Sequence, residues 1–327
     1  MPELPEVDRA AKLVKAHAQG KSITRVETNE DSIVFSGVTN IEFTEEIQGR
    51  KVEDVRRYGK VFFLELAGEG RMPVLHFGMT GNVIVKGEVP LYYKEGPKKG
   101  NSEWPPRFVK FILHLSTPED NCASVSQIAF VDARRLGRIR LCKEPLKEPP
   151  ISSLGFDPIL SMPSLEDFSE NVLRRKCPVK ALLLDQSFSA GVGNWVAGLA
   201  LFSLKITAVS VNADSNEFPN DWLFKHRWGK GKRKQLTTLL LTSGKPATIK
   251  WITVGGRTSA YVAELQQLSS SKEAEKETEQ EEDEESDLTE LSETEEVVVR
   301  KRSKHLNPQK IQQVSEELKK RKRQQIS

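Results

Sequence analysis

The sequence predicts a multidomain α+β protein: an N-terminal helix with an antiparallel β-sandwich, then a helical region, a β-hairpin and a disordered tail. Three observations carry this expectation. Apolar residues recur at helical spacing over residues 4–18, short β-branched and aromatic runs alternate with polar turns over residues 23–142, and the composition turns to low complexity beyond residue 268. The chain has 327 residues, 37% of them hydrophobic, enough for two folded domains and an accessory segment. No apolar run approaches the ~18 residues of a membrane span, and the charged, proline-containing start is unlike a signal peptide. A soluble intracellular protein with no membrane partner is therefore expected. Cys122, Cys142 and Cys177 include no Cys-x-x-Cys pair, so neither a disulfide framework nor a cysteine zinc site is expected, and the three read as buried thiols.

The first helix has Pro5 at its opening position, Val7, Ala11, Val14 and Ala18 on one face, and Gly20 as its stop. Chemistry crowds in front of it, in Met1-Pro2-Glu3-Leu4-Pro5-Glu6-Val7. Proline permits removal of the initiator methionine, so Pro2 is expected to present a free secondary amine beside the Glu3 carboxyl. Such an amine attacks an aldehyde-like carbon to form an iminium, which is covalent catalysis without a lysine or cysteine nucleophile. An α-amino group has an unperturbed pKa near ~8 and needs little tuning to act as a nucleophile. Glu3 is the matching proton donor, and Glu6 falls in the first turn, where its charge suits the exposed N–H groups.

Strands are expected over residues 23–28, 33–35, 52–58, 60–66, 74–77, 108–115, 128–132 and 137–142, with residues 89–107 an exposed insertion rich in Pro, Gly and Lys. Three turn segments stand out among them: Arg56-Arg57-Tyr58-Gly59-Lys60, His76-Phe77-Gly78-Met79-Thr80-Gly81 and Asp132-Ala133-Arg134-Arg135-Leu136-Gly137. The glycines around Met79 fit a loop that approaches a ligand closely, or a simple β-turn. A Pro- and Ser-rich stretch at residues 150–162 marks a boundary, giving domains over residues 1–149 and 150–217. In the second, a short apolar helix near residues 179–186 precedes a double turn, Ser187-Phe188-Ser189-Ala190-Gly191-Val192-Gly193-Asn194, and a helix over residues 195–204. Gly191 and Gly193 let backbone N–H groups approach a phosphate, and Asn194 adds a side-chain donor.

Residues 218–268 hold a basic loop at 230–234 and two short strands around Gly255-Gly256-Arg257-Thr258. A planar guanidinium at such a turn reaches one phosphate bidentately, which makes Arg257 a candidate contact. The tail, residues 269–327, cannot bury enough apolar area to order itself. Residues 272–296 carry 14 acidic and 2 basic residues, and residues 297–327 carry 10 basic and 2 acidic, so the net +3 of the chain leaves +7 on residues 1–271. A basic body suits a nucleic-acid partner. Arg300-Lys301-Arg302 and Lys319-Lys320-Arg321-Lys322-Arg323 predict nuclear residence, with an import receptor or repair proteins as tail partners.

The opening heptapeptide, the three turn segments, the double turn and the Gly-Gly-Arg-Thr turn together resemble the formamidopyrimidine-DNA glycosylase and endonuclease VIII family of DNA-repair enzymes. The resemblance covers roughly residues 1 to 268. It implies that Pro2 is the nucleophile, Glu3 the proton donor and Lys60 a third active-site residue that holds phosphate as a positive charge. It also implies that Met79 and Leu136 fill the gap left by an extruded nucleotide, Arg134 faces the orphaned base, and Arg135 and Lys180 contact phosphate. Leu136 stands where many relatives have phenylalanine. The double turn resembles the family's helix-two-turns-helix element, and the hairpin resembles a zincless finger of the plant and fungal type, since the cysteine ligands of bacterial members are missing.

The implied activity is a bifunctional glycosylase and abasic-site lyase acting as a monomer on damaged double-stranded DNA, with formamidopyrimidines and hydantoins preferred over 8-oxoguanine. No metal and no organic cofactor is implied. One departure stands out: relatives continue into a further long helix where residues 207–216 offer no helical face. A damage-binding isoform with impaired catalysis is therefore the alternative reading, and a nuclear interaction protein acting through its acidic tail is a third.

Overall fold

The structure is a computed structural model that describes residues 2–88, 104–117, 125–198, 208–214, 216–219, 222–223, 239–241 and 243–265. Residues 1–267 form one compact unit. The predicted insertion up to residue 103, the basic loop at 230–234, Cys122 and the tail lie outside the described residues.

Helix α1 (Leu4–Ala18) starts with a reciprocal capping box between Glu3 and Glu6, carries proline in its first turn and buries Leu4, Val7, Ala10, Ala11, Val14 and Ala18. Gly20, just past its end, adopts φ +82°, the left-handed conformation that costs glycine least. One antiparallel sheet has the order β1 (Ser22–Thr28), β6 (Val109–Ser116), β7 (Ser126–Val131), β5 (Asn82–Val85). The other has the order β2 (Val52–Tyr58), β3 (Val61–Leu66), β4 (Met72–His76), β8 (Arg138–Cys142). Both contribute to a single apolar core in which Phe43, Phe62, Phe77, Phe111 and Phe130 pack with the buried face of α1. Ring centroids 5.2–5.7 Å apart link these phenylalanines in a chain, a spacing that favours offset aromatic packing.

Two local differences from the sequence reading have physical causes. Residues 33–35 form turns rather than a strand, because Asp31 Oδ1 accepts the N–H groups of Ile33 and Val34, each at 3.2 Å. Such a side chain competes with sheet pairing for the backbone; only Phe35 bridges to Ile139, in parallel. A second helix, α2 (Asn40–Ile47), follows. Thr39 Oγ1 accepts the Glu42 N–H at 3.0 Å as its cap, and Phe43 and Ile47 are its buried residues.

The boundary expected near residue 150 is crossed by a buried network. The Arg57 guanidinium meets the Asp157 carboxylate, Gly59 N–H donates to Asp157 at 2.8 Å, and Tyr58 Oη donates to Gly155 O at 2.9 Å. Beyond it lie α3 (Leu165–Leu173), capped by Ser164, and α4 (Val179–Leu184). A second apolar cluster gathers Leu183, Val192, Trp195, Val196, Ala208 and Phe218. Residues 209–213 form turns, yet Ala208 and Phe218 reach this cluster, with the Trp195 and Phe218 rings 5.8 Å apart. Cys142 is buried as expected, whereas Cys177, in the polar connection between α3 and α4, is exposed.

Strands β9 (Ile249–Val254) and β10 (Arg257–Val262) pair as a hairpin. Gly255 and Gly256 form its two-residue turn with φ +59° and +70°, the pair of positive angles a type I′ turn requires. Among the described residues, no helix is long and apolar enough to cross a membrane and no group of His, Cys, Asp or Glu is arranged to hold a metal ion.

Candidate active site

The first residues of the chain end in a cradle made by the paired turns. Leu4 N–H donates to Gly191 O at 3.1 Å, and the Glu3 carboxylate accepts the N–H groups of Trp195 at 3.1 Å and Val196 at 3.0 Å. A Cβ on Gly193 would lie 2.2 Å from Glu3 Cδ, and one on Gly191 would lie 2.7 Å from Leu4 Cδ1. The two glycines were expected to admit a phosphate. What they admit here is the N-terminal segment, and their missing side chains set the depth to which Glu3 is buried.

Glu6 is buried, and its Oε2 accepts the Glu3 N–H at 2.9 Å. Burial, reinforced by the Glu3 charge, pushes its carboxyl up to about 8. It thus favours the protonated form at neutral pH and serves the position of Glu3 from within the fold.

Lys60 opens β3 from the turn after β2, where Gly59 has φ +59° and is pinned by Asp157. Its Nζ donates to Val192 O at 2.9 Å. Burial lowers the ammonium to about 8, with Glu3 and Glu6 opposing the shift and Arg257 adding to it. Gln186 braces the same place, donating to Val192 O at 2.8 Å and accepting the Gly191 N–H at 3.1 Å. Glu3, Lys60 and the guanidinium of Arg257 therefore share one electrostatic neighbourhood, with Pro2 next to Glu3 in the chain.

His76, which the sequence reading left without a role, stands at the end of β4. Burial and then the charges of Lys60, Arg140 and Arg138 lower it to about 4, so it is neutral at physiological pH. Its Nδ1 accepts the Gly78 N–H at 3.2 Å, which leaves Nε2 as the protonated nitrogen. A histidine flanked on the paired strand by Arg138 was the available signal.

A second cluster lies on two adjoining loops. A Cβ on Gly78, which has φ +60°, would come within 2.3 Å of the Leu136 backbone carbonyl, so the Met79 loop rests directly on the Leu136 loop. Met79 is 38% and Leu136 40% exposed, and Arg134 is exposed as well. Asp132 ties the loops together, accepting Thr80 Oγ1–H at 2.6 Å, the Arg134 N–H at 3.2 Å and the Gly137 N–H at 2.6 Å. Arg135 is exposed, and its Nε and Nη2 donate to Asp31. Asn194 Nδ2 donates to Thr258 O at 3.1 Å, joining the paired turns to the hairpin. Lys180 is half-buried on α4, beside Ala181, which meets the hairpin turn at Gly255.

The site is thus a two-sheet domain whose leading residues insert an acid into paired turns, beside a lysine. The formamidopyrimidine-DNA glycosylase N-terminal domain family matches residues 1–139. The formamidopyrimidine-DNA glycosylase of Arabidopsis thaliana is 35% identical over 302 residues, covering 84% of this chain and 73% of that protein. The same-named protein of Desulforamulus reducens is 32% identical over 212 residues, 63% of this chain and 68% of that one. The chain belongs to the formamidopyrimidine-DNA glycosylase family. Its fold is that of a Lactococcus lactis Fpg variant in complex with a Fapy-dG-containing DNA, at TM-score 0.60 and 18% identity over 82% of this chain and all of that one. It also matches L. lactis Fpg bound to an abasic-site-containing DNA, at TM-score 0.59 and 18% identity over 81% of this chain and all of that one.

Proposed function

We propose that the chain is a DNA glycosylase and abasic-site lyase of base excision repair, acting on double-stranded DNA that carries ring-opened or further-oxidised purines. The observation that carries this reading is the Glu3 carboxyl, fixed by the Trp195 and Val196 N–H groups immediately beside Pro2. With Met1 removed, the Pro2 nitrogen bonds to C1′ and the bond from C1′ to the damaged base breaks, the base leaving with the electron pair and taking a proton from water. The Glu3 carboxylate takes the proton from the Pro2 nitrogen and passes it to the ring oxygen as its bond to C1′ opens, which yields the iminium. Loss of a proton from C2′ expels the 3′ phosphate, loss of one from C4′ expels the 5′ phosphate, and water then releases Pro2. Lys60 and neutral His76 offer hydrogen-bond donors to the flanking phosphates.

The exposed Met79 and Leu136 suit the role of wedges, since extruding a nucleotide costs a few kcal/mol and leaves a gap in the stack. Arg134 stands beside them to read the base opposite. The hairpin, which supplies Arg257, acts as a zincless finger, and the basic clusters at residues 300–302 and 319–323 direct the protein to the nucleus. Formamidopyrimidine is expected to be excised faster than 8-oxoguanine, and equal single-turnover rates on matched duplexes would refute that preference. The reading as a whole is tested by borohydride reduction on a duplex with one abasic site. A protein–DNA adduct that disappears in Pro2→Gly is the expected result, and no adduct from methionine-processed wild-type protein sinks it.

A further inference from the structure

We infer that Asp31, backed by Lys110, is a positioning residue for recognition of the base opposite the lesion, acting through Arg135 on the two residues that flank it. This rests on the reading above that the loops of Met79, Arg134 and Leu136 enter the duplex.

Asp31 is buried, as is Lys110, whose Nζ donates to Asp31 Oδ2 at 2.8 Å. Arg135 Nε donates to the same Oδ2 at 3.0 Å and its Nη2 to Oδ1 at 3.0 Å, while Oδ1 also accepts the Ile33 and Val34 N–H groups. Burial works against the Asp31 charge, but these hydrogen bonds outweigh it and hold the carboxyl well below the usual carboxylate range. The anchor is firm on the backbone side too. Ile139 N–H donates to Val34 O at 2.8 Å and Ser36 N–H to Ile139 O at 2.9 Å, so the Asp31 turn is stitched to β8 just beyond the loop.

Arg135 itself has φ +56°, a left-handed conformation that a non-glycine residue adopts at a cost. The side-chain clamp on Asp31 compensates for that cost. Drawing Arg135 back onto Asp31 from a left-handed backbone leaves Arg134 and Leu136 exposed on either side of it. Asp132 fixes the base of the loop and Asp31 fixes its crest. Removing the Asp31 charge frees the crest and leaves Lys110 without its carboxylate partner, so Arg134 loses its aim while the cradle around Glu3, built from other elements, is untouched.

The test is equilibrium binding of the full chain to four duplexes that carry a tetrahydrofuran abasic analogue opposite dC, dA, dG or dT. Wild-type protein is expected to show a spread of Kd across the four opposite bases, and Asp31→Asn to compress that spread by about tenfold, the discrimination one well-placed bidentate contact supplies. Arg135→Lys keeps a positive charge for phosphate but cannot grip Asp31 bidentately; it should compress the spread equally, and the double variant no further than either single one. Asp31→Glu should restore part of it. If Asp31→Asn fails to fold by circular dichroism, Arg135→Lys, at a side chain 51% exposed, carries the test. A uniform loss of affinity with the spread intact overturns the inference, as does an Arg135→Lys protein that discriminates like wild type, or a wild-type protein with no spread. Because this readout is binding, a protein that forms no borohydride adduct yet shows the predicted compression refutes the catalytic reading and leaves the clamp standing.

Discussion

Glycine 193 faces Glu3 with no room for a methyl group between them. Gly193→Ala must push the carboxyl out of its two N–H contacts, and a misplacement of that order costs about 100-fold in rate; adduct formation under borohydride, compared with wild type at equal folded fraction, measures it. Lys60 gives a pH prediction. In the free protein its side chain is an ammonium below about 8 and an amine above it, so phosphate binding through Lys60 should fade as pH rises through that value. Arg257→Ala removes a nearby positive charge, makes the ammonium form less costly and raises the midpoint; nitrogen NMR of the lysine Nζ reads the shift directly. Pro2, Glu3 and Lys60 were legible as residues in short motifs. The convergence of Glu3 and Lys60 on Val192, Trp195 and Val196 was not, because no local pattern encodes a contact between one end of a domain and a turn nearly two hundred residues away.

Strands β2, β3, β6 and β7 were readable because β-branched and aromatic residues cluster in them between polar turns. Helix α2 was not, since eight residues with two buried side chains make a weak periodic signal, and its real marker is the Thr39 and Glu42 capping box. Thr39→Ala is accordingly expected to lower stability by about 1 kcal/mol, seen as a lower urea midpoint with unchanged slope. The run at residues 33–35 misled in the opposite direction. Its composition suits a strand, but Asp31 takes the N–H groups a strand would have needed. The hairpin was fully legible, because two adjacent glycines between β-prone runs specify its turn.

At the scale of the molecule, the strands of the first domain and the helical region beyond residue 150 are joined by the buried Arg57 and Asp157 pair, which also fixes Gly59 and so Lys60. Asp157→Asn leaves Arg57 charged and buried with a weakened partner, and should destabilise the whole unit by about 3 kcal/mol; a single cooperative transition at lower denaturant is the expected observation. The bond between Glu3 and Trp195 spans 192 positions of sequence. At roughly 5–20 residues per second of synthesis, about 10–40 s separate the emergence of these two residues. Each newly made chain therefore carries Glu3 long before it carries the N–H groups that hold it. That hold forms only when the paired turns leave the ribosome.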